Sequence, residues 1–288
     1  MNSMKITILM LGLVLLFMWI GYLFGGGNGM ILAFVVATIM NFLTYWFSDK
    51  MVLKMYRARE IQEADHPRLY RVVKRVTTAA MMPMPRVYIV PSRAPNAFAT
   101  GRNADHAAVA ATEGLLELLN EDELEGVICH EIAHVRNNDM LIGTIAATFA
   151  GAIGILAQIA RFGAIFGGYG NDRNNRGGAL GLLVAAIVAP LVAMVIQLAI
   201  SRQREYRADA EGGRISGKYL PLASALRKLH AAPVRMNLDD HPATAHLMIA
   251  NPLSGRGITS LFSTHPPVEE RIKRLEELQQ TSVYQSYV

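Results

Sequence analysis

The sequence predicts a mainly helical α+β protein, with a small β-sheet, that is interrupted by transmembrane helical hairpins. Hydrophobic residues make up 52% of its 288 residues and charged residues 18%, against roughly 25% charged residues in soluble domains. The apolar residues collect in four blocks instead of being spread along the chain. The polar segments between the blocks carry helical and strand-like patterns, which gives the α+β part of the prediction.

The first two apolar blocks, 6–24 and 30–47, predict a helical hairpin. Each is close to the roughly 20 residues that a helix needs to cross a bilayer. The run Gly-Gly-Gly-Asn-Gly at 25–29 is too short for anything but a tight turn. A cleaved signal peptide is the alternative for the first block, but a second apolar block follows at once, so we expect both blocks to span.

The third and fourth blocks, 141–160 and 179–200, predict a second hairpin around a Gly/Asn-rich loop at 163–178. Small residues in the third block would let helices pack closely in lipid. Pro190 and Gln197 in the fourth are tolerated if they face another helix. A buried helical pair of a soluble domain is the alternative, and the length and apolar character of both blocks favour spanning.

The distribution of basic residues predicts the orientation. Residues 49–75 are rich in Lys and Arg, whereas the turn at 25–29 has no charge, so the positive-inside rule places both termini and both polar segments in the cytosol. The predicted divisions are a first hairpin at 1–48, a polar part at 49–140, a second hairpin at 141–200 and a polar part at 201–288.

The net charge of +5 could indicate a nucleic-acid partner, but the basic residues flank the apolar blocks. Such juxtamembrane Lys and Arg hold a cytosolic flank near anionic lipid. No basic patch with interleaved aromatic residues and no zinc-finger spacing occurs in the sequence. We therefore expect a lipid bilayer as a partner and no nucleic acid.

The first polar segment predicts a helix within 60–80, then strands at 86–90 and 107–111. Asn120 and Glu123 form a capping-box pattern that predicts the start of another helix. That helix would run through the first candidate site.

The candidate site begins with His130-Glu131-Ile132-Ala133-His134. Two histidines at i and i+4 lie on one helix face and can bind the same ion, and the intervening glutamate can act as general base. The alternative is a pair of ordinary core histidines. A catalytic zinc site needs a third protein ligand and leaves a fourth position open.

The third ligand is best supplied by Glu205, which a hairpin over 141–200 would return to the first helix. Asp209 lies one turn later and could accept a hydrogen bond from a ligand imidazole. The metzincin extension is excluded because Asn137 and Met140 stand where it has Gly and His. A solvated helix in which both carboxylates pair with arginines stays open as an alternative.

A further constellation lies at 263–271. His265 precedes two prolines that hold it in an extended turn, from which it could donate to an oxyanion. Arg271 could orient a carboxylate. A turn that begins a surface helix explains this stretch equally well on the residues alone.

These motifs together resemble the HtpX-type membrane heat-shock proteases, which are relatives of the CaaX prenyl proteases. The resemblance covers nearly the whole chain and includes the stretch Asn96-Ala97-Phe98-Ala99-Thr100-Gly101. It implies a gluzincin-type zincin with membrane helices inserted between the two metal-binding helices. It also implies one zinc ion per chain, bound by His130, His134 and Glu205.

The resemblance also implies the remaining roles in the site. Glu131 would be the general base, Asp209 would support a ligand histidine, and His265 and Arg271 would help to stabilise the transition state. An extended substrate would pair with an edge strand formed by Asn96, Ala97, Phe98 and Ala99.

The biology that the resemblance implies is stress-related quality control at the bacterial inner membrane. The substrates would be misfolded or unassembled membrane proteins, with a functional link to an ATP-dependent membrane protease. The main alternative is a membrane scaffold or chaperone whose zinc is purely structural, for which a closed four-ligand site would be the mark. A cysteine protease built on Cys129 and His130 is a poorer alternative, because neighbouring residues on a helix point about 100° apart.

Overall fold

The computed structural model describes residues 2–143, 145, 202–232 and 266–285. The described residues divide between two compact units, one with 2–45, 142–143 and 145 and the other with 46–141, 202–232 and 266–285. The predicted second hairpin and His265 lie outside the described residues, apart from the first few positions of the hairpin.

The first unit contains the apolar part of α1 (Asn2–Met55), which is two helices joined at a sharp bend. The bend lies at Gly25 and at Gly26, whose φ of 55° is readily adopted only by glycine. Beyond it the two helices return side by side, since a Cβ on Gly21 would lie 2.4 Å from the carbonyl oxygen of Gly29. The side-chain amide of Asn41 also donates to the carbonyl oxygen of Met10 at 3.0 Å.

Both arms of this hairpin are long and apolar enough to cross a membrane. The stretches are Ile6–Leu23 and Gly25–Phe47, and only 12% and 17% of their residues are buried within the protein. A core helix of a soluble protein would be mostly buried, whereas these arms expose large side chains such as Leu32 and Phe42. The exposed apolar surface is what a lipid-facing helix needs.

The helix extends beyond the apolar stretch, which ends at Phe47. It continues to Met55, and its last turns belong to the second unit. There Val52, Leu53 and Tyr56 pack against one face of the β-sheet.

The sheet has four strands in the order β1-β2-β4-β3. They are β1 (Arg59–Glu60), β2 (Arg86–Val90), β3 (Ala97–Thr100) and β4 (Ala108–Thr112). The β2 and β4 strands are parallel and the other two pairs are antiparallel. The strand predicted at 86–90 is confirmed, the one predicted at 107–111 lies one residue later, and β3 is an edge strand.

Alternation along the strands separates two apolar layers, as the two-residue period of a strand requires. Tyr88, Val90 and Phe98 face the end of α1. Val87 and Ile89 belong instead to the main core. That core also contains residues from the helices on the other side of the sheet.

Beyond α1 the second unit contains further helices, and the one at 121–136 packs against those at 67–79, 202–216 and 220–231. They are α2 (Pro67–Ala79), α3 (Glu113–Leu118), α4 (Glu121–Arg136), α5 (Arg202–Ser216), α6 (Leu220–Ala231) and α7 (Val268–Gln285). The capping box predicted at the start of α4 is confirmed, because the amide of Glu123 donates to Asn120 and the Asn120 amide donates to the Glu123 carboxylate, both at 2.9 Å.

Candidate metal centre

The two histidines of α4 converge on one point. His130 and His134 lie one helical turn apart, and their Nε2 atoms are 3.2 Å apart. His130 is 1% exposed, in a helix whose other faces are buried in the core. The two imidazole nitrogens therefore face each other, and α4 itself places no carboxylate between them. A cation shared by the two nitrogens would stabilise this arrangement.

Helix α5 brings Glu205 to the same point. Its two carboxylate oxygens lie 3.4 Å from His134 Nε2 and 3.6 Å from His130 Nε2. Tetrahedral zinc with bonds of about 2.0–2.1 Å would place its ligand atoms about 3.3–3.4 Å from one another. The three donors therefore have the chemistry and the spacing of a zinc site, and among the described residues they form a group able to hold a metal ion.

The close approach of α5 depends on a glycine. Glu205, Asp209 and Gly212 follow the i, i+4, i+7 spacing of one helix face. A Cβ on Gly212 would lie 3.0 Å from the backbone nitrogen of His130. A larger residue would therefore push α5, with its carboxylates, away from the histidines.

The end of α4 is also bonded to α5. The side-chain amide of Asn137 donates to Glu211 at 2.8 Å, and its oxygen accepts from Arg207. These bonds fix the two helices to each other beside the site.

Each histidine has a carboxylate behind it. His130 Nδ1 lies 2.9 Å from Asp209, and His134 Nδ1 lies 3.2 Å from Asp139. An Nδ1–H that donates to a carboxylate leaves the Nε2 lone pair directed at the metal position. The position of Asp209, one helical turn after Glu205, predicted such a contact. Asp139 had no predicted role, although an acidic residue five positions after His134 was visible.

Arg271 holds Asp209 from behind. Its guanidinium is fully buried and donates from Nε and Nη2 to the two carboxylate oxygens at 2.8 and 2.7 Å. Burial alone would raise the pKa of Asp209, but Arg271 outweighs it and lowers that pKa. These contacts make Arg271 a positioning residue for Asp209. Its predicted contact with a transition state stays a prediction, and His265 lies outside the described residues.

Glu131 lies beside the edge strand. Its carboxylate is 6% exposed and accepts a hydrogen bond from the backbone amide of Ala99 at 2.9 Å. Burial raises the pKa of Glu131 to about 7. A carboxyl group with a pKa near neutrality can both take and return a proton at physiological pH. The backbone bond to Ala99 was not visible in the sequence.

The edge of β3 that does not pair with β4 lies next to Glu131. Asn96 exchanges hydrogen bonds with Thr112 on β4, its amide donating to Oγ1 and its carbonyl accepting from the backbone amide. Because backbone groups alternate along a strand, those of Ala97 and Ala99 point away from β4. On this edge of the strand predicted to pair with substrate, the backbone amide of Ala99 points to the Glu131 carboxylate.

The electrostatics of the site favour a bound cation. Burial alone would lower the pKa of His134, but Glu205 and Asp139 outweigh it and raise that pKa to about 10. Burial lowers the pKa of His130. A proton is therefore held strongly among these carboxylates, and a divalent ion would take its place.

The cysteine next to His130 is not an alternative nucleophile. Cys129 is fully buried, and burial raises the pKa of its thiol to about 12. A reactive cysteine needs an accessible thiolate. The geometry therefore gives no support to a cysteine protease.

Comparison with known families decides the class. The sequence profile of Peptidase family M48 matches residues 63–279, which include both histidines, Glu205 and Asp209. The chain belongs to peptidase family M48. It is therefore a metalloprotease, and the two arms of its apolar hairpin are long and apolar enough to cross a membrane.

Curated relatives of this M48 peptidase cover nearly its whole length. It is 54% identical over 275 residues to a protease HtpX homolog of Desulfatibacillum aliphaticivorans, covering 95% of this chain and 89% of the relative. It is 53% identical over 280 residues to one of Syntrophobacter fumaroxidans, covering 96% and 99%. The predicted resemblance to HtpX-type proteases is confirmed.

The fold has a counterpart among solved structures. The crystal structure of S. mikatae Ste24p superposes with a TM-score of 0.56 at 18% identity, covering 92% of this chain and 62% of that one. At this identity the likeness concerns the fold alone. It supports the predicted combination of a mostly helical fold with a small sheet.

Proposed function

We propose that this M48 peptidase is a gluzincin-type zinc endopeptidase of the bacterial inner membrane that degrades misfolded or unassembled membrane proteins under stress. The observation that carries the proposal is the convergence of His130, His134 and Glu205 beside Glu131, at the outer edge of β3. One helix supplies the two histidines and the general base, and the other supplies the third ligand.

The ligands of the proposed single zinc ion are His130, His134 and Glu205, whose donor atoms are 3.2–3.6 Å apart. Bound zinc would polarise the scissile carbonyl and lower the pKa of a water molecule. Asp209 and Asp139 keep the histidines in the tautomer that leaves Nε2 free to bind, and Arg271 holds Asp209 in place.

Glu131 does the proton transfer in this proposal. It takes a proton from the attacking water and returns it to the leaving amine, for which its raised pKa is suited. His265, and Arg271 as predicted from the family resemblance, would stabilise the negative charge that develops on the carbonyl oxygen.

The proposed substrate is an extended chain that adds to β3 along Asn96, Ala97, Phe98 and Ala99. Main-chain hydrogen bonds would supply most of the affinity in this mode of binding. Because they do not depend on the side chains of the substrate, the mode suits many different misfolded proteins. An unfolded segment can adopt the required extended form, whereas a folded domain cannot.

The proposed topology places both termini and the catalytic unit in the cytosol, on the basis of the basic residues at 49–75. A functional link to an ATP-dependent membrane protease belongs to the same proposal. Reporter fusions in the loop at 163–178 test the topology: a signal from the outer side supports it, and a cytosolic signal there contradicts it.

The central experiment measures zinc content and proteolysis of a casein-like substrate for the wild type and for Glu131→Gln in parallel. We expect the variant to keep zinc and to lose activity by roughly 10²–10⁴-fold, the range for a general acid–base group. A Glu131→Gln protein that still cleaves the substrate would show that the assignment of the base is wrong.

The scaffold alternative makes a different prediction for the same proteins. If zinc served only the fold, Glu131→Gln would leave every measured property of the protein unchanged and no proteolysis would be found in the wild type. A structural site also needs a fourth protein ligand. The described residues bring together three.

A further inference from the structure

The turn that follows α4 brings Asp139 back to His134. In a continuous helix, a residue five positions later would point about 140° away from the first. The helix ends instead at Arg136, and Asn138 has a φ of 54°, in the left-handed region that Asn tolerates better than most residues. The backbone amide of Asn138 donates to the carbonyl oxygen of Val135 at 3.0 Å. After this reversal the Asp139 carboxylate lies 3.2 Å from His134 Nδ1.

One face of α5 lies against this turn. Arg204, Arg207 and Glu211 follow the i, i+3, i+7 spacing of a single helix face. Arg207 and Glu211 both bind the side chain of Asn137, at the start of the turn. Arg204 lies one helical turn earlier, and its Nη1 atom is 4.0 Å from Oδ1 of Asp139, at the end of the turn. The contacts at Asn137 therefore also hold the Arg204 side chain next to Asp139.

The pair of Arg204 and Asp139 is sheltered from water. The two side chains are 16% and 7% exposed, and Nη1 of Arg204 is buried without a hydrogen-bond partner. Placing a guanidinium in such a position is costly unless a negative charge lies beside it. Within the described part of the chain, the ion pair of Arg204 is with Asp139. The carboxylate behind His134 therefore explains why this cation is buried here.

The same three kinds of group stand in the same order behind the other histidine. The Asp209 carboxylate, 2.9 Å from His130 Nδ1, accepts two hydrogen bonds from the buried Arg271. Behind His134 the order is again imidazole, carboxylate and guanidinium, with Arg204 as the guanidinium. The Arg271 pair is closed by two hydrogen bonds, whereas the Arg204 contact is longer. We therefore expect a smaller effect from Arg204.

We propose that Arg204 is a positioning residue that keeps the Asp139 carboxylate on His134, so that a buried guanidinium holds the carboxylate behind each metal-binding histidine. The inference rests on the proposed zinc site, because it concerns the orientation of one of its ligands. The carboxylate keeps the proton of the imidazole on Nδ1 and leaves Nε2 free to bind. Arg204 is not itself a ligand, since a guanidinium offers no acceptor.

The charge of Arg204 and its position have opposite effects on metal binding. A cation repels a divalent ion, so the loss of the charge alone would raise the affinity for zinc. The loss of its hold on Asp139 lowers that affinity, because the imidazole of His134 is then less well oriented. The sign of the change therefore distinguishes the two roles. In the positioning role the change also depends on the Asp139 carboxylate.

The test is a double-mutant cycle on zinc affinity. Full-length protein in nanodiscs competes with a zinc-binding dye, as wild type, as Arg204→Gln, as Asp139→Asn and with both substitutions. We expect Arg204→Gln to weaken zinc binding by up to about 10-fold, the lower end of the range for groups that support a ligand. In the Asp139→Asn protein, the same substitution should not weaken zinc binding further, because the two residues act as a unit.

A second readout reports the ligands directly. Cobalt bound in place of zinc has a visible absorption spectrum that depends on the geometry of its ligands. We expect Arg204→Gln and Asp139→Asn to change this spectrum in the same direction, and the double substitution to change it no more than Asp139→Asn alone. Circular dichroism checks the fold of each protein, and Arg204→Met serves as a second variant if Arg204→Gln folds poorly.

A matched control comes from the same face of α5. Arg207→Gln removes a guanidinium that binds Asn137 instead of Asp139. Its effect on zinc affinity should be the same with and without the Asp139 carboxylate. If it depends on Asp139 as strongly as Arg204→Gln does, the coupling belongs to the whole contact between α4 and α5, and the specific role of Arg204 is wrong.

The other outcomes also decide the matter. Tighter zinc binding by Arg204→Gln shows that Arg204 acts through its charge alone. Equal weakening with and without the Asp139 carboxylate shows that it does not act through Asp139. An unchanged affinity or an unchanged cobalt spectrum shows that it does not position His134. Each of these results overturns the inference and leaves the proposed protease intact, whereas a wild type that binds no zinc overturns both.

Discussion

Helix α4 carries two buried clusters of charge, one at each end, and they are built in opposite ways. At its start, the Glu123 carboxylate accepts from the Asn120 amide, from Ser224 at 2.7 Å and from Lys228 at 2.7 Å. Towards its other end, His130 and His134 direct their Nε2 atoms at each other and at the Glu205 carboxylate.

The difference separates a cluster that joins two helices from one that could hold a metal ion. Every bond at Glu123 joins a donor to an acceptor, so the cluster is complete within the protein and fastens α4 to α6. At the other end two imidazole nitrogens and the Glu205 carboxylate converge on one point, with the Arg271 guanidinium 3.6 Å from that carboxylate, and the three converging groups have the spacing of zinc ligands. Glu123 is as buried as Glu205, although its partner Lys228 is 40% exposed whereas Arg271 is fully buried, and the pairing of donors and acceptors also differs between the two clusters.

The largest expected effect comes from Glu205→Ala, which removes one of the converging donors. We expect zinc content and proteolysis both to fall to background, because two histidines are a weak zinc site. Metal analysis after dialysis, with circular dichroism as a check of the fold, measures this. A variant that keeps a full equivalent of zinc would show that Glu205 is not a ligand.

The carboxylates behind the histidines should have an intermediate effect. Asp209→Asn and Asp139→Asn each weaken the orientation of one imidazole, for which a loss of about 10–100-fold in metal affinity is usual. Competition with a zinc-binding dye measures the affinity. Equal losses from the two variants would extend the role predicted for Asp209 to Asp139, whereas an unchanged affinity in Asp139→Asn would show that Asp139 does not orient His134.

The cluster at the start of α4 should respond in the opposite sense. Glu123→Ala is expected to lower the free energy of unfolding by about 1–3 kcal/mol, because Ser224 and the capping box lose their buried partner. Zinc content and the activity of the folded protein should not change. Denaturant unfolding measures the stability of the variant, and metal analysis measures its zinc content. A fully folded variant that has lost its zinc would contradict the distinction between the two ends of α4.

The last expected effect is a pH dependence of stability that should be strongest in the metal-free protein. The folded pKa of His134 is raised to about 10 from an ordinary value of 6.5. Its proton therefore stabilises the metal-free fold fully below pH 6.5, and this stability is lost as the pH rises towards 10. Melting curves of protein treated with a chelator should show the decline.

Two controls belong to this pH measurement. Zinc-loaded protein should show a smaller decline, because the ion occupies the position of the proton. A metal-free His134→Gln protein should lack the His134 part of the decline. Identical slopes in all three samples would mean that His134 does not hold a proton in the folded state.

Much of the fold followed from local patterns in the sequence. The capping box at Asn120, the strand at 86–90 and the glycine run that turns α1 back are each fixed by neighbouring residues, so the chain alone reveals them. The continuation of α1 beyond the predicted apolar block, to Met55, was not part of the prediction. Packing of Val52 and Leu53 on the sheet keeps that segment helical.

The sequence by itself determined the chemistry of this protein: two histidines one turn apart, a glutamate between them and a second carboxylate pair one turn apart. Only the tertiary structure decided which partners complete that chemistry. Asp139 reaches His134, Arg271 holds Asp209, and Ala99 binds Glu131, across separations of 5, 62 and 32 positions in the chain. The contacts of Arg271 and Ala99 depend on how closely separate elements approach, and the missing side chain of Gly212 allows one such approach, that of α5 to α4.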